Sequence, residues 1–130
     1  MSWADYTNNL AAQGFTGACI IDRNSYQVLA QAGDMIPRAY QADGQDINEN
    51  VYLAQDWSTE LTSIRFNCKK FMVLRKGDDF ATGKKGKEFI FLYKLKSIYL
   101  VAMGTSDTLP FEQGQVAIGK MFDALAQAGC

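Results

Sequence analysis

The sequence predicts an α+β fold. It has a central antiparallel sheet of about six or seven strands, the N- and C-terminal helices packed on one face, and short helices on the other. Three observations predict it. Glu88-Phe89-Ile90-Phe91-Leu92-Tyr93 and Ser97-Ile98-Tyr99-Leu100-Val101-Ala102-Met103 are long and apolar on both sides, as strands covered above and below are. From Ser63 onward, short apolar runs alternate with turn residues in the manner of a meander. Clear helical periodicity is confined to the two ends of the chain.

The elements follow in order. The first dozen residues read as a helix that Ser2 caps, with Asp5 three residues on as in a weak capping box. Trp3, Tyr6 and Leu10 share one face, and Gly14 ends the helix. Ala18-Cys19-Ile20-Ile21 is a short buried strand, Asp22-Arg23-Asn24-Ser25 a turn, and Tyr26-Gln27-Val28-Leu29-Ala30 the returning strand, closed by Gly33. Residues 34–50, with Pro37 and Asp43-Gly44, read as a polar loop. Residues 47–61 read as one or two short helices carrying Ile47, Val51, Ala54 and Leu61 as a loose stripe. Ile64-Arg65-Phe66, Phe71-Met72-Val73-Leu74-Arg75 and Phe80-Ala81-Thr82 read as strands. Asp78-Asp79 and the basic Gly83-Lys84-Lys85-Gly86 read as turns. The last helix runs from about Glu112 to Ala128, with Val116, Ile118, Met121, Phe122 and Leu125 as its apolar stripe and Gly129 as its cap. Terminal helices lying side by side bring Trp3 and Tyr6 near the end of the chain.

Composition narrows the class. A chain of 130 residues, 48% hydrophobic and 21% charged, reads as one globular domain over residues 1–130, able to bury a core without disulfides or metals. No apolar run reaches the roughly 18 residues of a membrane span, and the N-terminus lacks the pattern of a signal peptide, so the expected compartment is the cytosol. Histidine is absent, which removes the commonest general base and zinc ligand. The 3 cysteines, Cys19, Cys68 and Cys130, are widely spaced and form no metal or disulfide pattern. Cys19 reads as core and Cys130 as an exposed thiol. No phosphate-loop pattern surrounds Gly83, and Asp78 and Asp79 are adjacent rather than paired across a site. An enzyme is therefore the least favoured class, and no cofactor or metal is called for.

A formal charge of −1 conceals segregation. Residues 65–96 hold ten of the 13 basic residues and only Asp78, Asp79 and Glu88 among the acidic ones, a local excess of seven positive charges. Such a cluster suits an anionic partner: an acidic protein face, a phosphoinositide membrane or a nucleic acid. The plain alternative is a solvated sheet face with lysines guarding edges. Nucleic acid ranks low, because Phe89, Phe91 and Tyr93 alternate with apolar Ile90 and Leu92 and so read as core rather than as a stacking platform. Trp3 and Tyr6, one turn apart, read either as packing or as an aromatic shelf for proline-rich peptides, which bind with little ordering cost.

The N-terminal Ser2-Trp3-Ala4-Asp5-Tyr6, the strand Lys70-Phe71-Met72-Val73-Leu74-Arg75, the Gly83-Lys84-Lys85-Gly86 segment, the strand 98–103 and the final helix together resemble the profilin family. The likeness covers both ends and residues 63–130 well, and residues 34–60 poorly. It implies a monomeric, non-enzymatic, cytoskeleton-associated binder of actin monomers. It also implies a second site for proline-rich segments of actin-assembly factors, and affinity for anionic phosphoinositides. By the same resemblance, Arg75, Lys84, Lys85, Gln115 and Lys120 face actin. Trp3, Tyr6, Leu29 and Leu125 form the proline-peptide site, and Lys69, Lys70 and Lys87 meet phosphoinositide. The family usually places a tryptophan where this chain has Leu29, a tyrosine or histidine where it has Ala124, and an aromatic near Cys130. Proline-peptide binding is therefore expected to be weak. The competing reading makes anionic lipid the primary partner.

Overall fold

The computed structural model describes residues 2–33 and 35–130. Met1 of the N-terminal segment and Asp34, the first residue of the expected loop, lie outside the described residues. Helix α1 (Trp3–Ala12) begins with a complete capping box: Asp5 N donates to the Ser2 hydroxyl, and Ser2 N donates to the Asp5 carboxylate at 2.9 Å. Strands β1 (Gly17–Asp22) and β2 (Val28–Ala32) follow as a hairpin. The return strand starts two residues later than the sequence suggests, because Tyr26 takes a left-handed φ of 60° and still belongs to the turn.

Residues 34–50 are not a plain loop. They hold a second hairpin, β3 (Ala39–Ala42) and β4 (Gln45–Asn48), that stands apart from the main sheet. Its turn is Asp43-Gly44, with φ of 54° and 75°. Positive φ at both central residues makes a tight turn whose twist matches its strands. Helix α2 (Asn50–Ala54) is the one short helix of the 47–61 stretch, and residues 56–60 form a turn. The expected stripe is displaced as well. Val51 is exposed, and Leu53 and Trp57 are buried in its place.

The meander then runs β5 (Ser63–Phe66), β6 (Lys69–Lys76), β7 (Phe80–Lys85), β8 (Glu88–Lys94) and β9 (Ile98–Thr105), before α3 (Phe111–Gln127). β7 continues through Gly83, Lys84 and Lys85, so the turn falls on Gly86 and Lys87 rather than on the whole basic tetrad. Seven strands form one antiparallel sheet in the order β2-β1-β9-β8-β7-β6-β5.

The sheet is buried on two sides, as the all-apolar β8 and β9 foretell. Cys19, Ile64, Phe71, Ile90, Leu92 and Tyr99 pack with Leu53 and Trp57 on the α2 side. Ile20, Phe89, Phe91, Leu100 and Ala102 pack under the terminal helices with Leu10, Ile118 and Leu125. Each fully buried large side chain contributes up to about 1.5–3 kcal/mol. The line that α3 buries is Gly114, Ile118, Met121 and Leu125; Val116, expected in the stripe, is 57% exposed. A side chain at Gly114 would meet Phe91, Phe89 and Leu109 at 3.3–3.4 Å, so a bare α-carbon lets the helix sit low on the sheet.

One buried carboxylate ties the irregular third of the molecule together. Glu49, fully buried, accepts the backbone N–H groups of Arg38 at 2.7 Å and of Asn67 and Cys68 at 2.8 Å. Asn67 and Cys68 form the β5–β6 turn with φ of 53° and 63°, a conformation that side chains seldom adopt without support. Burial raises the Cys19 thiol to about 12, which keeps that sulfur protonated and consistent with a place in the core.

Candidate functional site

The terminal helices cover only part of the sheet face they share. α1 packs chiefly on β1 and β2, and α3 on β8 and β9. Toward the outer strands that cover thins: Thr82 on β7 is still buried, whereas β6 beyond it is left bare on that side. Met72 on β6 is 62% exposed there and Leu74 is 52% exposed, which is unusual for strand residues of this size.

Register explains which cations join them. Lys84 pairs with Phe89 and with Met72, so all three point to the helix side. Lys70 lies two residues before Met72 and shares its face. Arg75 needs a further device. Simple alternation from Phe71 and Val73 would send it to the α2 side. A bulge between Val73 and Arg75 inserts Leu74 without a partner and sets Arg75 opposite Thr82, a residue of the helix side. Lys84 Nζ lies 5.4 Å from the centre of the Phe111 ring, which links the strip to the start of α3. Gln115 lies one turn beyond Phe111 on the same flank of α3.

Other cations expected beside them lie elsewhere. Lys85 pairs with Glu88, and Lys69 donates to Glu88, on the opposite side of the sheet. Lys76 is on that side too and donates to Leu61 O at 2.9 Å. Lys120 lines the groove between α1 and α3 with Tyr6, Asn9, Gln13 and Ala124. Lys87, in the β7–β8 turn, pairs with Asp107 at 3.1 Å. Arg65 is the exception: it pairs with Lys70 and so shares the helix-side face, where it lies by Asp43 at 3.6 Å. Lys94 and Lys96 sit at the far end of β8. The seven excess positive charges of residues 65–96 thus do not form one docking surface. Strand alternation divides them: Arg65, Lys70, Arg75 and Lys84 share the helix-side face, and of these Arg65 is largely buried beside Asp43. Lys69, Lys70 and Lys87 likewise do not converge.

The aromatic pair forms a second surface. Trp3 and Tyr6 have ring centres 6.4 Å apart and planes tilted by 46°. With Ser2, Ala128 and Cys130 they line a shallow hollow. Leu29 packs partly buried beside them. Leu125 is fully buried and supports this surface from beneath without being exposed on it. Ala124 is exposed and small. Cys130 is half-buried and its carbonyl accepts from Ser97 N at 2.7 Å, so the expected free thiol belongs to a fixed segment.

Among the described residues, no three histidine, cysteine or acidic side chains gather as a metal site. Sequence reasoning singled out Arg75 and Lys84 but missed Met72, Leu74 and Phe111. Their signal was weak: an apolar residue on a strand reads as core until the covering layer is known.

A curled seven-stranded sheet with both terminal helices on one face defines a small binding module with two separate surfaces. The chain belongs to the profilin family, whose model matches residues 1–130. Profilins are non-enzymatic regulators that bind actin and are soluble cytoplasmic proteins as a family. Profilin of Schizosaccharomyces pombe is 24% identical, with a TM-score of 0.77 over 99% of this chain and all of that one. Profilins II and IB of Acanthamoeba castellanii are each 18% identical, with TM-scores of 0.77 and 0.76 and the same coverage. No curated protein sequence matches the chain. Among the described residues, no helix is long and apolar enough to cross a membrane.

Proposed function

We propose that this profilin binds actin monomers through the bare strip of β6 and β7 and the adjoining flank of α3. The observation that supports this reading is the pair of exposed apolar side chains, Met72 and Leu74, set among Lys70, Arg75 and Lys84. Apolar anchors supply affinity after desolvation, and the cations steer an acidic partner. Gln115 lies at the margin. Lys85 and Lys120, carried over from the family pattern, are assigned no contact. The test is an actin-monomer sequestration assay with the purified protein and with a Met72→Ser, Leu74→Ser variant. Sequestration by the parent and at least tenfold loss in the variant are expected. Equal sequestration by both would remove the strip from the interface.

Proline-rich peptide binding at Trp3 and Tyr6 is proposed as weak. Leu29, Ala124 and Cys130 offer no flat ring, and each missing ring removes on the order of 1 kcal/mol of stacking. Oligoproline titration followed by tryptophan fluorescence tests this, and Leu29→Trp is expected to tighten binding. Phosphoinositide binding through Lys69, Lys70 and Lys87 is proposed only as secondary, because Lys69 and Lys87 already hold carboxylate partners. Liposome co-sedimentation at low and physiological salt tests it, with a steep loss expected at the higher salt.

A further inference from the structure

The β3–β4 hairpin adds no strand to the main sheet, and none of residues 39–48 is buried. Two strands on their own are marginally stable in water. This pair is nonetheless fastened firmly at its base. Glu49, directly after β4, accepts the three backbone N–H groups of Arg38, Asn67 and Cys68. Arg38, directly before β3, donates from Nε to Asn67 Oδ1 at 3.2 Å. Glu49 N in turn donates to Arg38 O at 3.0 Å, which closes the two legs on each other. Both legs are thereby tied to the β5–β6 turn.

The anchorage decides where the tip stands. Asp43, in the hairpin turn, lies 3.6 Å from Arg65. Arg65 is opposite Lys70 on the helix side, and Lys70 is two residues before Met72 on the same face. The tip therefore borders the bare strip at its outer margin, at β5, where the sheet ends. Tyr40 and Ile47 pair across the hairpin and are half-buried, so the opposite face, Gln41 and Asp46, looks outward. Gln41 Nε2 donates to Asp46 Oδ1 at 3.0 Å on that face. The tip is opposite in sign to the strip it borders. The Asp43 side chain is 86% exposed and Asp46 is exposed, against Lys70, Arg75 and Lys84. An element that buries little and is still held in one place loses little freedom when a partner arrives.

We propose that the tip of the β3–β4 hairpin is a second contact for the actin monomer, taking a basic side chain at the margin of the acidic surface that the strip receives. This inference rests on the actin reading of the strip. Asp43 and Asp46 meet the basic group, and Gln41 flanks it. Lys70, Arg75 and Lys84 alone accept an acidic patch in several orientations. Charges of opposite sign set side by side favour one orientation and repel its reverse, so the hairpin fixes how the partner is seated. Guarding the edge of β5 would account for the position of the hairpin, and it asks nothing of the charge at the tip.

The test is actin-monomer sequestration by the intact protein and by two variants, Asp43→Asn and Asp46→Lys, beside the Met72→Ser, Leu74→Ser variant. Asparagine tolerates the left-handed φ of Asp43, so the melting temperature is expected to hold. Each hairpin variant is expected to raise the dissociation constant about three- to tenfold. In the parent, saturating actin is expected to slow amide exchange at residues 42–46 by about fivefold or more, which an edge guard would not show. Parent-like sequestration by both hairpin variants, with the serine variant impaired, would overturn the hairpin contact and leave the strip standing. Tighter binding by Asp43→Asn would overturn it too, because Asp43 would then merely shield Arg65 from an acidic partner. Unchanged exchange at residues 42–46 overturns it even if a variant fails to fold. No sequestration by the parent, or none lost in the serine variant, overturns the strip and the hairpin contact with it.

Discussion

The two halves of the helix-bearing sheet face are built from the same strands and treat apolar residues in opposite ways. Under α1 and α3, Ile20, Phe91 and Leu100 are fully buried. Two strands beyond β8 in the same sheet, on β6, Met72 and Leu74 stand in solvent. The difference is coverage rather than composition. Two helices cannot cover seven strands, and the uncovered remainder presents a flat apolar and cationic strip. The lesson is that an apolar strand residue supports stability where a second layer lies over it and is left free to meet a partner where none does.

Substitutions can break that contrast, beginning with the largest effect. Phe91→Ala, under the helices and packed on Phe89 and Phe111, is expected to cost about 3–5 kcal/mol in denaturant unfolding. Met72→Ser and Leu74→Ser are each expected to stay within about 0.5 kcal/mol in the same experiment, while the proposed actin contact predicts weaker binding for both. A large loss of stability in the serine variants would mean the strip is covered after all. Glu49→Ala comes next, at about 2–4 kcal/mol, because it leaves three part-buried backbone donors, two of them in a turn of positive φ, without their acceptor. Cys68→Gly in the same turn should recover part of that loss by relieving the positive φ.

Charge effects are smaller and sharpen the comparison. Lys84→Glu, on the strip, is expected to slow actin association several-fold, with the effect shrinking as salt rises. Lys85→Glu, on the other side of the sheet, is expected to leave association unchanged. Equal effects of the two, read by stopped-flow, would dissolve the distinction between faces. The smallest effect concerns acid. Hydrogen bonds from Ser25 N and Asn24 N hold the Asp22 carboxyl below its ordinary value of 3.8. Its folded pKa is thus depressed, so its contribution to the β1–β2 turn is present above that ordinary value and fades as pH falls through the lower folded one. Faster amide exchange at Asn24 and Ser25 below about pH 4 would register it.

Much of the fold was legible because its signals are local. Ser2 and Asp5 announce the start of α1, and the two-sided apolar runs of β8 and β9 announce a covered sheet. The β3–β4 hairpin was also within reach: Asp43-Gly44 lies between short segments whose Tyr40 and Ile47 pair across the strands. Its polar flanks disguised it as a loop. The site was less legible, because facing depends on register. Nothing in Lys84-Lys85 says that one residue looks toward α3 and the next toward α2 until the strand is known to continue through them. Glu49 was invisible for a related reason: its partners are backbone groups up to 19 positions away, and those carry no sequence signature.

The bulge at Leu74 has a bearing on how such surfaces change over time. Deleting that one residue would remove the bulge and keep the register, with Arg75 still opposite Thr82 on the helix side and Lys76 still opposite Ala81 on the other. Net charge would be untouched, and the fold would need no new contacts beyond the strand's end. Loss of a single codon at a bulge thus offers lineages a route to strip an apolar side chain from a surface while its cations keep their places.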